Sequence, residues 1–165
     1  MKDGISWDDA KLAAATQSFN GIGGQLAAIT SEAENNFLRD EFATTEFTQF
    51  AGSWIAARFD TGTWAFTWRT GPLTDQAIAY SNWGGIEPNN ANQSTDSAYM
   101  NIGADTHGVR KGQWADAASG GYSFGDPVVG YFVVYAPVPE PETYAMMLAG
   151  LGLMGLVAKR RSRPA

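Results

Sequence analysis

A chain of 165 residues with no cysteine and six tryptophans has to hold its fold by packing alone. No disulfide framework, thiolate metal site or cysteine nucleophile can be built from it. Burying an aromatic side chain removes roughly 150–250 Å² from water, so the Trp, Tyr and Phe residues are the natural framework of the core. Trp7, Trp54, Trp64, Trp68, Trp83 and Trp114 are each expected to be structural. Charged residues make up only 17% of the chain, below the usual quarter. That excludes a disordered tail, a coiled coil and a basic nucleic-acid binder.

The charge is unevenly distributed. Residues 1–142 contain all 17 acids and seven of the eleven bases, whereas residues 143–165 contain four bases (Lys159, Arg160, Arg161, Arg163) and no acid. The boundary coincides with Pro139-Glu140-Pro141-Glu142, where the prolines keep the preceding residues out of the helical region. From Tyr144 to Ala158 no side chain is charged. A helix that is apolar all round is buried or in a membrane, and this one is short against the ~20 residues of a full span. Flanking arginines would stay on the cytoplasmic side. The competing reading, a C-terminal core helix, is disfavoured by Gly150, Gly152 and Gly155.

The body opens with two helix signals. Ser6 can cap a helix whose first turn carries Asp8 and Asp9, with Trp7, Ala10 and Ala13 or Ala14 on one face. After a turn at residues 20–24 and a short apolar strand at residues 26–29, Ser31 and Glu34 form a capping box for a second helix reaching about Phe42. Beyond Ser53 the pattern changes to short strands separated by Gly, Asn and Pro turns, at residues 54–57, 64–68, 98–102, 113–116 and 130–135. Helices followed by a run of strands predict an α+β domain with antiparallel sheet. The long polar stretch at residues 71–97 is of the kind that usually carries function.

Two resemblances follow from ordered sets of residues. Val138-Pro139-Glu140-Pro141, the apolar run and the terminal arginines resemble the PEP-CTERM sorting tail of exported bacterial proteins. This implies transient anchoring in the inner membrane through the C-terminal helix. Cutting by an exosortase-type enzyme near Pro139, Glu140 and Pro141 would follow, with delivery to the cell surface or the extracellular space. In the body, residues 24–31, Trp54-Ile55-Ala56-Ala57, Asn82-Trp83, Glu87-Pro88-Asn89 and Trp114-Ala115-Asp116 occur in the order of the C-type lectin-like domain and resemble it over nearly its whole length. The implied organisation is a lectin-like domain over 1–136, a Pro/Glu linker over 137–143 and a membrane helix with basic tail over 144–165. The family's first strand and an apolar N-terminal export segment are both missing from the start, which suggests a start placed too late.

The resemblance also implies a site. In the family, Glu-Pro-Asn and Trp-Asn-Asp elements hold calcium and the adjacent hydroxyls of a sugar, here through Glu87, Asn89 and Asp116. Calcium takes six to eight hard oxygens. This chain carries Ala115 in place of the family's amide ligand and Thr95 in place of a glutamate, with Asp96 beside it as a possible substitute. The expectation is a glycan-binding protein whose calcium set (Glu87, Asn89, Asp96, Asp116) is incomplete. The alternative is a structural or protein-binding surface protein with a degenerate site. Nothing suggests an enzyme. His107 is the only histidine, no serine sits in a nucleophile elbow, and Glu32 and Glu34 are too close along one helix to share a face.

Overall fold

The computed structural model describes residues 4–43, 51–91, 96–123 and 125–135. The proposed sorting residues Pro139, Glu140 and Pro141, the apolar run after them and Thr95 lie outside this set. Among the described residues no helix is long and apolar enough to cross a membrane.

Helix α1 (Trp7–Ala15) starts where the sequence places it. Ser6 Oγ accepts from the Asp9 N–H, and Trp7, Ala10 and Ala14 form the buried stripe. Helix α2 (Glu32–Phe42) has Ser31 as its cap, with Oγ accepting from the Glu34 N–H. The return arm of the capping box lands one residue early. Glu34 accepts from the N–H and hydroxyl of Thr30 rather than from Ser31. Asn35 is the one fully buried residue of α2, a polar anchor, while half-buried Leu38 packs against the core beside it.

The centre is β4 (Gly52–Asp60), buried over most of its length. It pairs antiparallel with β5 (Ala65–Trp68) and β6 (Asp96–Asn101), and parallel with β9 (Asp126–Tyr131). β7 (Trp114–Ala118) continues the sheet beyond β6, and β8 (Tyr122–Ser123) lies beyond β9. Small antiparallel pairs are made by β1 (Ser18–Phe19) with β2 (Ile22–Gly23), and by β3 (Gln25–Leu26) with β10 (Val133–Val134). The α+β architecture with antiparallel sheet is as expected, with one parallel pairing added between β4 and β9.

Tryptophans do hold the core. Trp7, Trp54, Trp68 and Trp114 are essentially fully buried. The Trp7 Nε1–H donates to the Ile55 carbonyl, and Trp54 Nε1–H to that of Ile5, so helix α1 and the segment leading into it are stapled to β4 by two indoles. Trp114 gathers Trp68, Tyr80 and Trp83 edge-on within about 6 Å. Tyr99, also buried, shares a hydrogen bond with Ser123, and burial pushes its phenol up to about 12. Two tryptophans depart from the expectation: Trp83 is half-buried, and Trp64 is 75% exposed.

Candidate functional site

The site is assembled around the start of β7. Trp114 donates its N–H to the Asn82 carbonyl, and its own carbonyl accepts from Gly84, so the chain at residues 82–84 is zipped onto this strand. Gly112 just before it has φ +79, and a Cβ there would lie 2.8 Å from the Arg39 side chain, so only glycine fits. The Gly112 carbonyl accepts from the side-chain amides of both Asn35 and Asn82. Asn35 Oδ1 in turn accepts from Trp114 Nε1 at 2.7 Å. Helix α2, the loop and β7 are thereby tied together through one buried asparagine.

From this anchor the loop turns outward. The Glu87 N–H closes a turn onto Gly84, and the Glu87–Pro88 bond is cis. Both oxygens of the Glu87 carboxylate accept from the Asn89 side-chain amide, Nδ2, at 2.8 and 3.0 Å. Asp116, two residues beyond Trp114, accepts the Asn89 N–H on Oδ1 and the Asn90 N–H on Oδ2, each at 2.9 Å. Asn89 Oδ1 accepts from the Ala91 N–H. Glu87, Asn89 and Asp116, named from the sequence, are therefore brought into one hydrogen-bonded cluster.

Asp96 lies nearby on β6, fully buried, with Asp116 only 5% exposed on the neighbouring strand. Burial pushes the Asp116 carboxyl up to about 8, and the carboxyls of Glu87 and Asp96 add to the rise. At neutral pH Asp116 accordingly keeps its proton. Ala115 is fully buried in the apolar core. Its methyl brings no oxygen to the loop.

These donors have the right chemistry for calcium, all hard oxygens, and several of them are turned to N–H groups of the loop itself. Among the described residues no three acid or histidine groups gather in a geometry that could hold a metal ion. Both Asp116 oxygens and the Asn89 amide oxygen are already directed at backbone N–H groups, so the loop closes on itself.

Beside this loop lies a feature that sequence reasoning missed. A groove of about 500 Å³ runs along it, lined by Phe59, Trp64, Phe66, Trp83, Pro88 and Asn90 among others. The available signal was position. Trp64 follows Thr61-Gly62-Thr63 and so belongs to the turn between β4 and β5, at φ 53, rather than to the strand.

The lectin C-type domain family matches residues 4–122. The chain belongs to that family. A second match, to the PEP-CTERM protein-sorting motif, covers residues 137–161 and marks an exported protein. Among solved structures the domain is similar to the C-type lectin CEL-I from Cucumaria echinata. That match has 18% identity, covers 80% of this chain and 85% of the other, and has a TM-score of 0.58. It is also similar to human lithostathine, at 21% identity, 80% and 76% coverage and a TM-score of 0.54. A third similar structure is the Ca²⁺-independent C-type lectin SPL-2 from Saxidomus purpuratus, at 18% identity, 80% of each chain and a TM-score of 0.52. In sequence the chain is 30% identical over 116 residues to halomucin of Haloquadratum walsbyi. The match spans 65% of this chain and about 1% of halomucin's length.

Proposed function

We propose that this lectin-family domain binds glycans through Glu87, Asn89 and Asp116, on a protein delivered to the cell surface or the extracellular space. The supporting observation is the cluster itself. A carboxylate at Glu87 and an amide at Asn89 stand side by side on a solvent-facing loop, clamped from below by buried Asp116. In the absence of ligand the Asn89 amide donates to the Glu87 carboxylate, and a sugar hydroxyl, which both donates and accepts, can exchange with that contact, donating to Glu87 and accepting from Asn89. A buried clamp holds the pair in place before the ligand arrives, which reduces the ordering cost of binding.

Calcium has no part in this reading. Glu87, Asn89, Asp96 and Asp116 are the residues that would hold it, and their oxygens are already engaged by N–H donors or buried beside other carboxyls. Ala115 removes one family ligand and Thr95 another. That SPL-2 is described as Ca²⁺-independent supports the view that this fold can bind without the ion. The sorting motif supports processing by an exosortase-type enzyme near Pro139, Glu140 and Pro141, after the apolar run has held the chain in the inner membrane.

The test is a glycan array probed with the full chain and its Glu87→Ala variant. Mannose-type glycans should retain the wild-type protein and lose the variant. An array on which wild type and variant give the same signal would overturn the assignment and favour a protein-binding or structural role for the domain.

A further inference from the structure

The aromatic groove beside the loop has features that the core does not require. Trp64 is 75% exposed at the tip of the β4–β5 hairpin, in the left-handed backbone region, at φ 53. Bulky side chains seldom adopt that conformation, and residues held in it cluster at ligand-binding sites. Its ring meets Phe59 at 6.0 Å, Phe59 meets Phe66 at 5.6 Å, and Phe66 meets Trp83 at 5.1 Å. A continuous file of rings therefore runs from the exposed indole to Trp83, which contacts core Trp114 at 5.6 Å. The exposed tryptophan stands on a rigid base.

The lining contains no charged residue, although the chain as a whole is acidic. Ser81 and Asn90 supply polar groups at its edge. Apolar walls with a few polar groups, in a volume of about 500 Å³, match the size and character of a small-molecule site. A neutral ligand with one apolar face and hydroxyls around its edge fits this description, and a pyranose ring is such a ligand. Pro88 and Asn90 line the groove, and the Asn90 N–H is also one of the two donors that clamp Asp116. Groove and loop are thus adjacent stations along one surface.

We propose that the groove is a second sugar subsite, in which a neutral pyranose stacks on Trp64 while a linked sugar occupies the Glu87–Asn89 loop. The ligand is then an oligosaccharide or polysaccharide chain rather than a single sugar. This inference rests on the glycan-binding reading of the loop, and the experiment separates the two.

The full chain is titrated calorimetrically with methyl α-mannoside and with a linear mannotetraose, using wild type, Trp64→Ala, Trp64→Phe and Glu87→Gln. Melting curves establish that each variant is folded. Trp64→Ala should weaken the tetrasaccharide about tenfold and leave the monosaccharide within about twofold, with Trp64→Phe recovering most of the loss. The tetrasaccharide should also shift tryptophan emission in the wild type and not in Trp64→Ala. Equal tetrasaccharide affinity in wild type and Trp64→Ala, or no tetrasaccharide binding by the wild type, overturns the groove. A concentration-dependent dimer abolished by Trp64→Ala also overturns it, by giving the groove to a second copy of the chain. If Glu87→Gln abolishes both sugars while Trp64→Ala changes nothing, the loop assignment stands and the groove falls. If Trp64→Ala weakens the tetrasaccharide while Glu87→Gln changes nothing, the groove stands and the loop assignment falls.

Discussion

Trp114 and Asp116 sit two residues apart on one strand and meet opposite fates. At Trp114 the strand collects apolar rings, and its single polar hydrogen has one dedicated acceptor, Asn35 Oδ1. At Asp116 the strand collects charge. Two N–H donors satisfy its oxygens, but Glu87 and Asp96 crowd it with further acid. The first end is a buried group fully paired, which stabilises. The second keeps a proton on Asp116 at neutral pH, because burial disfavours its charged form and the neighbouring Glu87 and Asp96 carboxyls add to that.

The largest effect should come from the packed end. Trp114→Ala empties the junction of four aromatic rings and should cost about 3–5 kcal/mol in a urea unfolding titration. A loss under 1 kcal/mol would show that the rings do not hold this region. Asn35→Ala is the next test, since it leaves the Trp114 Nε1–H and the Gly112 carbonyl without this partner in a buried place. About 1–3 kcal/mol should be lost by the same measurement.

The charged end should reveal itself through pH. The folded-state Asp116 value of about 8 lies above the usual 3.8, so between those limits the native protein keeps a proton that the unfolded chain has released. Stability therefore falls as pH rises from about 4 to about 8 and is flat with respect to this group outside that window. Melting temperature measured across this range should drop, and Asp116→Asn should flatten the slope. A melting temperature that rises steadily over the range would contradict the raised Asp116 value. The smallest effect on stability is expected at the exposed edge, where Trp64→Ala should stay within about 0.5 kcal/mol of wild type in urea.

The contrast along β7 also explains what could be read from the sequence. Both helix caps were legible because capping is local. Ser6 and Ser31 carry their signal within three residues, and even the misplaced arm of Glu34 missed by one position. Glu87, Asn89 and Asp116 were legible through an ordered resemblance, and the fold does bring them together. Calcium capacity was less readable, because it depends on where oxygens point rather than on which residues supply them. Asn89 offers the right atom and directs it to Ala91. The groove was invisible because it is built from β4, β5 and the loop at residues 78–90, joined only in three dimensions. Trp64 is the clearest case: the same residue type four positions from Trp68, one at 75% exposure and the other at 2%. Strand alternation alone would put both on the same face. The left-handed turn at Trp64 breaks that alternation, and composition cannot show it.

In the proposed function the loop grips sugar directly, without a cation. The most direct measurement is a calorimetric titration of the full chain with methyl α-mannoside in excess EDTA, for wild type and Glu87→Ala. The expected result is saturable heat from the wild type in chelator, unchanged on adding calcium, and none from the variant. Wild-type heat that appears only when calcium is supplied would contradict it.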